Sequence, residues 1–277
     1  MPTSDSISRA ARGARVVAWC VAFVAATGAI GAGGSPASPA PVRPLAVLKA
    51  PVPPVGLGNY RTSGFYPQFA DQGRPLEQVN AAVGRVVRRA ERSYARATRR
   101  RYAKWPQMFL PGFGDPGTYK VSIRHDTMSA STRVVSALLP VRQLYPGGNG
   151  GAMWLSFTLQ VPSVRSVPLA ALFAQPARAL AVVARAARRN ILAANACIRK
   201  TYWDPPLHAL HAQGFAARWS NYRYFALTPR RLAIGFQIEQ VGGPQCGRAV
   251  GFVRYALLRP YLSGLGRELV ASVRQPR

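Results

Sequence analysis

The sequence predicts an α+β fold: an antiparallel sheet with two main helices packed on it, preceded by a signal or anchor segment and a Pro/Ala-rich linker. Three observations carry that expectation. From Tyr222 to Tyr255 apolar residues alternate in short runs separated by turn residues, the period of half-buried strands. Residues 75–104 and 176–198 instead repeat apolar residues at the three-to-four spacing of an amphipathic helix. The first 33 residues pair a basic start with an apolar run, and the residues after them are rich in Pro and Ala.

In chain order, Arg9, Arg12 and Arg15 precede the apolar run 16–33, which holds Trp19, Cys20 and Phe23 and ends in the small residues 28–32. A basic n-region, an apolar h-region and a small-residue end make residues 1–33 a secretory signal, or a membrane anchor if retained, since the run nearly spans a bilayer. The small-residue end favours cleavage. Either way the remainder is extracytoplasmic, secreted or anchored. Residues 34–56 read as an extended, solvated Pro/Ala-rich linker, and residues 57–277 as the α+β domain.

Within that domain, residues 60–66 read as a short strand. The helix at 75–104 places Leu76, Val79, Val83, Val86 or Val87, Ala90, Tyr94 and Ala97 toward the core. Pro75 suits its first turn, Glu77 lies at the positive end of the dipole, and Pro106 ends it. Its other face carries Arg85, Arg88, Arg89, Arg92, Arg96, Arg99, Arg100 and Arg101. Tyr119, Val121 and Ile123 alternate in a strand at 118–128, and a second strand covers 132–144. Pro146 to Gly151 is glycine-rich but lacks the Gly-Lys-Ser/Thr and following helix of a phosphate loop, so it connects a hairpin to a return strand at 152–161.

The helix at 176–198 buries Leu180, Val183, Ala187, Ile191, Leu192 and Ala194 and exposes Arg178, Arg185, Arg188 and Arg189. Residues 201–219 contain Pro205-Pro206 and read as loop with room for one helical turn. Residues 222–255 form a three-stranded meander, with Pro229 presetting a tight turn at Thr228 to Arg231 and a third apolar run from Ala249 to Leu258. A short helix over 260–273 closes the chain.

Cys197 and Cys246 remain as a pair once Cys20 is assigned to the signal. An exported chain meets an oxidising compartment, so these two are expected to form a disulfide.

Lys and Arg total 37 against 9 Asp and Glu, a net charge of +28. Such an excess attracts polyanions: anionic wall polymer, anionic lipid or nucleic acid. Arg over Lys is what a GC-rich coding sequence produces, but that bias does not account for scarce acids. A run of charge is most often a solvated face, yet eight arginines on one helix with only Glu77 and Glu91 among them exceed what solvation needs, because like charges at i, i+4 cost helix stability. The candidate site is therefore a polyanion-binding face made by these arginines. Tyr94, Tyr102 and Trp105 nearby could stack bases, but export disfavours nucleic acid as the partner.

Catalytic machinery is sparse. Asp71, Asp115, Asp126 and Asp204 lie in or beside loops, and Glu77 and Glu91 on the basic helix, each most simply a cap, turn residue or ion-pair partner. His208 and His211 sit i, i+3 near Asp204, without the further ligands of a metal centre. His125-Asp126 lacks a serine in a G-x-S-x-G setting. No metal, cofactor or enzymatic activity is expected.

Phe225-Ala-Leu-Thr-Pro-Arg-Arg-Leu-Ala-Ile-Gly-Phe236, Gly243-Pro244-Gln-Cys-Gly247 and Phe252-Val-Arg-Tyr255 resemble the end of a domain of unknown function. That domain forms the extracellular part of RsiV-type, lysozyme-sensing anti-sigma factors. It also precedes the catalytic part of some peptidoglycan deacetylases and occurs alone in secreted mycobacterial proteins of the immunogenic type. Tyr66-Pro67 with Leu76 and Asn80 resembles its opening Y-P-x-L…N motif, so the resemblance runs from about Tyr60 to the C-terminus. The chain departs from the pattern at several places. Arg231 stands at the turn glycine, Arg254 at the proline before the last tyrosine, and Met153 at a histidine; the aspartate expected between Leu169 and Phe173 is absent.

The resemblance implies an extracytoplasmic binding domain, here contacting anionic wall polymer or membrane surface. The alternatives are a secreted hydrolase acting on cell-wall glycan or esters, and an extracellular sensor binding a protein ligand. About fifteen residues before Val16 leave no room for a cytoplasmic sigma-binding part, and a basic surface disfavours lysozyme, itself basic.

Overall fold

A computed structural model of the chain describes residues 41–54, 60–104, 106, 117–144 and 150–274. Residues 1–33, read from sequence as signal or anchor, with Cys20, and residues 34–40, read as linker, lie outside the described residues.

The layering follows from the two faces of one strand. In β6 (Val134–Leu144), Val135, Ala137, Leu139 and Val141 point to one side and Leu138 to the other, and all are fully buried. A strand apolar on both faces must be covered on both. On one side lies α1 (Glu77–Lys104), whose Val79, Val83, Val87 and Tyr94 pack into a core with those four residues. On the other, Leu138 meets Trp154, Ala226 and Ala233 of a second, three-stranded sheet and its neighbour strand.

The larger sheet has seven strands. Its members are β1 (Ala46–Pro51), β2 (Tyr60–Asp71), β3 (Arg74–Pro75), β4 (Gly117–Val121), β5 (Met128–Ala130), β6 and β7 (Gly150–Gln160). Strand β6 is paired with β7 along its whole length, from Val134↔Gln160 to Leu144↔Gly150, which is the hairpin expected around the glycine-rich turn. Its tip at 145–149 lies outside the described residues. Every pairing is antiparallel except β2 with β4, which runs parallel from Tyr60↔Gly117 to Gly64↔Val121 with α1 between them in the chain.

The small sheet is the meander: β8 (Phe225–Leu227), β9 (Arg231–Phe236) and β10 (Ala249–Arg254). Leu232, Ile234 and Phe236 of β9 are fully buried on the face covered by α2 (Pro176–Ala194). Ala233 and Gly235 face the large sheet, and a Cβ at Gly235 would stand 2.7 Å from the Trp154 ring. The Trp154 indole N–H donates to Phe236 O at 3.1 Å and Ala249 O at 2.9 Å, tying β7 to β9 and β10. Asn190 on α2 accepts from Phe252 N at 2.8 Å, fixing the helix on β10. The result is α1, large sheet, small sheet and α2 in sequence.

Several expectations are corrected. The stretch 34–56 is not all linker: β1 pairs with β2 from Ala46↔Ala70 to Pro51↔Phe65, and Leu45, Ala50 and Val52 are buried beside α1. Pro51 ends a peripheral strand, where its missing N–H breaks no ladder bond. The ordered domain thus includes residues from 41 onward. The helix expected at 176–198 is broken at Asn195, whose side chain caps α3 (Ala196–Tyr202) by accepting from Ile198 N. Residues 201–219 hold α4 (Pro205–Gly214): Pro205-Pro206 occupy its first turn, where no N–H is needed, so they start a helix instead of preventing one. The last apolar run is strand only to Arg254. Tyr255 opens α5 (Tyr255–Leu258), and α6 (Gly264–Arg274) ends the chain.

Asn80 explains one motif position. Its side chain accepts from Phe69 N at 2.7 Å and donates to Phe69 O at 3.0 Å, clamping the first turn of α1 to β2.

Candidate anion-binding surface

The arginines of α1 lie on its outer side. Arg85, Arg88, Arg89, Arg92, Arg96, Arg99, Arg100 and Arg101 are all exposed. Among the described residues no carboxylate pairs with the first seven; Arg43–Asp71 (2.9 Å) and Arg124–Asp126 are the ion pairs found there. The Arg88 guanidinium folds back over Gly84, where an added methyl would meet it at 3.1 Å. Trp105 lies outside the described residues; Tyr94 is buried and bonded to Leu144 O, so it is not available to stack a base.

Glu91 departs from the expectation of an ion-pair partner. It is 1% exposed, on the same stripe as Val83 and Val87, and its Oε1 has no hydrogen-bond partner among the described residues. Desolvation raises its pKa from 4.5 to about 7, with Arg92 pulling weakly the other way. Tyr119, also buried with an unpartnered hydroxyl, is raised by burial and by the charge of Glu91.

The other polar candidates are dispersed. Asp126 is held low by its bonds to Arg124, which answers the His125-Asp126 pair with an ordinary salt bridge. His208 Nδ1 contacts Tyr202 O at 2.8 Å and its ring stacks on Trp203, while His211 is buried on α4. Among the described residues no three His, Cys, Asp or Glu gather as metal ligands. Met153 receives an amide contact from Gln143, and Leu169, Leu172 and Phe173 are core residues.

Cys197 and Cys246 form a disulfide, with Cα atoms 5.5 Å apart. It joins α3 to the 3-10 turn Pro244–Cys246 between β9 and β10. That bond fastens the helical layer to the meander.

A second basic surface went unread in the sequence. The β8–β9 turn, the end of β10, α5, the 3-10 turn Arg259–Tyr261 and α6 enclose a groove of about 730 Å³ lined by Arg230, Arg254, Arg259, Arg267 and Arg274. Among the described residues no carboxylate lines it. These five come from points spread over more than forty residues, so no charge run announces them. What gathers them is Tyr255: its buried hydroxyl donates to Thr228 O at 2.8 Å and accepts from Thr228 N at 3.1 Å, pinning α5 to the turn that carries Arg230. Gly266 then brings α6 against Leu172 O, so closely that a Cβ would lie 2.0 Å away. Arg230 and Arg274 also line an adjoining cavity of about 580 Å³ beside Arg43, His125 and Ser131.

No family model matches the chain, and no curated protein matches it. Among solved structures it is similar to a member of the DUF3298 family from Bacteroides fragilis, at 9% identity and a TM-score of 0.46, covering 84% of this chain and 97% of that one. It is also similar to a DUF3298 family protein from Pseudomonas aeruginosa, at 12% identity and a TM-score of 0.44, covering 87% of this chain and 99% of that one. Both belong to a family named for having no known function.

Proposed function

We propose that the chain is an exported, non-enzymatic binding domain of the cell envelope, of the RsiV-like type, that contacts anionic wall polymer or an anionic membrane surface. The observation carrying this reading is the row of arginines along α1, exposed and, for seven of the eight, without a carboxylate partner among the described residues. Arginine forks match phosphate and carboxylate geometry, and a row of them gains from a ligand that repeats its charge. The basic, apolar, small-residue order of residues 1–33 supports export, as does the Cys197–Cys246 bond, of a kind that persists in oxidising compartments.

The test is co-sedimentation of the mature chain with purified cell-wall sacculi across a salt series, with and without prior removal of anionic wall polymers, and in parallel with anionic vesicles. Binding at low salt that weakens as salt rises and disappears with the polymer, or binding to the vesicles with the same salt dependence, is expected. Failure to bind either surface at low salt would refute the reading and leave the arginine excess compositional.

A further inference from the structure

We infer that the groove between the β8–β9 turn and α6 is a phosphate-recognising site, and that it seats a chain of phosphodiesters. The inference deepens the proposed function and rests on it. Where the α1 face is convex and spread over a long helix, the groove is concave, so guanidinium groups from separate elements can surround one ligand. Arg230, Arg254, Arg259 and Arg274 are exposed, and their guanidinium groups make no ion pair or hydrogen bond among the described residues. Arg267 is held by its own bond to Leu262 O at 2.7 Å, which presets one fork.

Five like charges around one cavity repel one another, and no Asp or Glu among the described lining residues offsets them. An anion would. Arg230 and Arg274 belong to both cavities, so the cationic wall continues from one into the next. That continuity favours an extended ligand with repeated charge over a single ion. The floor of Tyr255, Leu262 and Val270 is apolar, suited to the carbon spacers between successive phosphates. A phosphodiester keeps its charge at every physiological pH and presents two free oxygens to each guanidinium.

Such phosphates come from two sources, a soluble polymer or lipid headgroups at a surface, and the probes separate them. One is a fluorescein-labelled hexamer of glycerol phosphate, read by anisotropy over a salt series. Another is vesicles containing phosphatidylglycerol, and a third is a labelled hexamer of galacturonic acid as a carboxylate chain of equal charge. Each is measured with the wild-type chain, with Arg254→Gln/Arg259→Gln in the groove, and with Arg61→Gln/Arg165→Gln, two exposed positions outside both the groove and α1, which removes the same charge elsewhere.

The groove pair should weaken phosphate binding at least tenfold and reduce the slope of log affinity against log salt by roughly one to two. The pair outside both surfaces should cost less than threefold. A groove-dependent loss with the hexamer supports the phosphodiester chain; one with vesicles alone would overturn it, because headgroups are separate phosphates and not a linked chain. Equal losses from the two pairs would show that net charge alone is felt and would overturn the groove while leaving the proposed function standing. So would galacturonate binding as tightly and with the same groove dependence, because the site would not be phosphate-selective. A wild-type chain that binds none of the probes and no sacculi refutes the proposed function itself.

Discussion

Replacing Glu91 by Gln should change how stability depends on pH. The carboxyl is 1% exposed beneath α1, with one oxygen unpartnered. Burial raises its pKa from 4.5 in the open chain to about 7 in the fold, against a weaker opposing pull from Arg92. The folded state therefore holds its proton more tightly than the unfolded state. Its contribution is fully present below about pH 4.5 and is lost as pH rises through about 7. A difference of that size corresponds to roughly 3 kcal/mol once the group is ionised, at about 1.4 kcal/mol for each unit. Gln keeps the shape and has no charge to bury.

Urea unfolding of both proteins at fixed ionic strength from pH 4 to pH 9 measures this. Subtracting one curve from the other removes the remaining titrating groups, including Asp126, whose pKa is lowered and whose effect runs the opposite way. Near pH 4 the two should differ little. By pH 8.5 the variant should be the more stable by about 3 kcal/mol, with unchanged m-value. A difference that stays flat across the range would refute the reasoning, because the carboxylate would then be hydrated or paired in the folded protein.

Two further perturbations follow from packing. The Cys197–Cys246 bond closes a loop with a sequence separation of 49, so Cys197→Ser/Cys246→Ser should cost about 4 kcal/mol in the chain-entropy account, read as a lower urea midpoint relative to the oxidised wild type. Gly235→Ala sets a methyl 2.7 Å from the Trp154 ring and 2.9 Å from Leu138, and should cost about 1–3 kcal/mol by overpacking, with a shift in Trp fluorescence reporting the displaced ring.

Much of the fold is legible because its elements follow single periods. Leu232, Ile234 and Phe236 alternate and are buried together, and Val79, Val83 and Val87 recur every four residues on one helix face. The same spacing continued by four reaches Glu91, so its burial could have been read from the stripe; residue type outweighed position. Strand β1 was hidden because Pro and Ala dominate its surroundings, while the few residues that matter, Leu45, Ala50 and Val52, find their partners in α1 and β2. Pro205-Pro206 signals a helix start as readily as a break, and only the residues that follow decide which. The α1 arginines are visible as a run. The groove arginines are not, since their proximity is made by the Tyr255–Thr228 bonds and by the approach of Gly266 to Leu172.

The parallel pairing of β2 with β4 makes α1 a bridge between neighbouring strands, held at two points. A helix fastened at one end could relieve crowding among its cations by unwinding or swinging outward. Here the Asn80–Phe69 clamp holds the first turn, and Tyr94 bonds to Leu144 O and packs on Tyr119 of β4. Arg85–Arg89, Arg88–Arg92, Arg92–Arg96 and Arg96–Arg100 are like-charge pairs at i, i+4, together costing roughly 1 to 2 kcal/mol. That load falls on the crossover itself, and its two anchoring strands carry it in the free protein. A multivalent anion laid along the helix would unload them, so the tightening it brings would be felt in β2 and β4, one layer beneath the surface it touches.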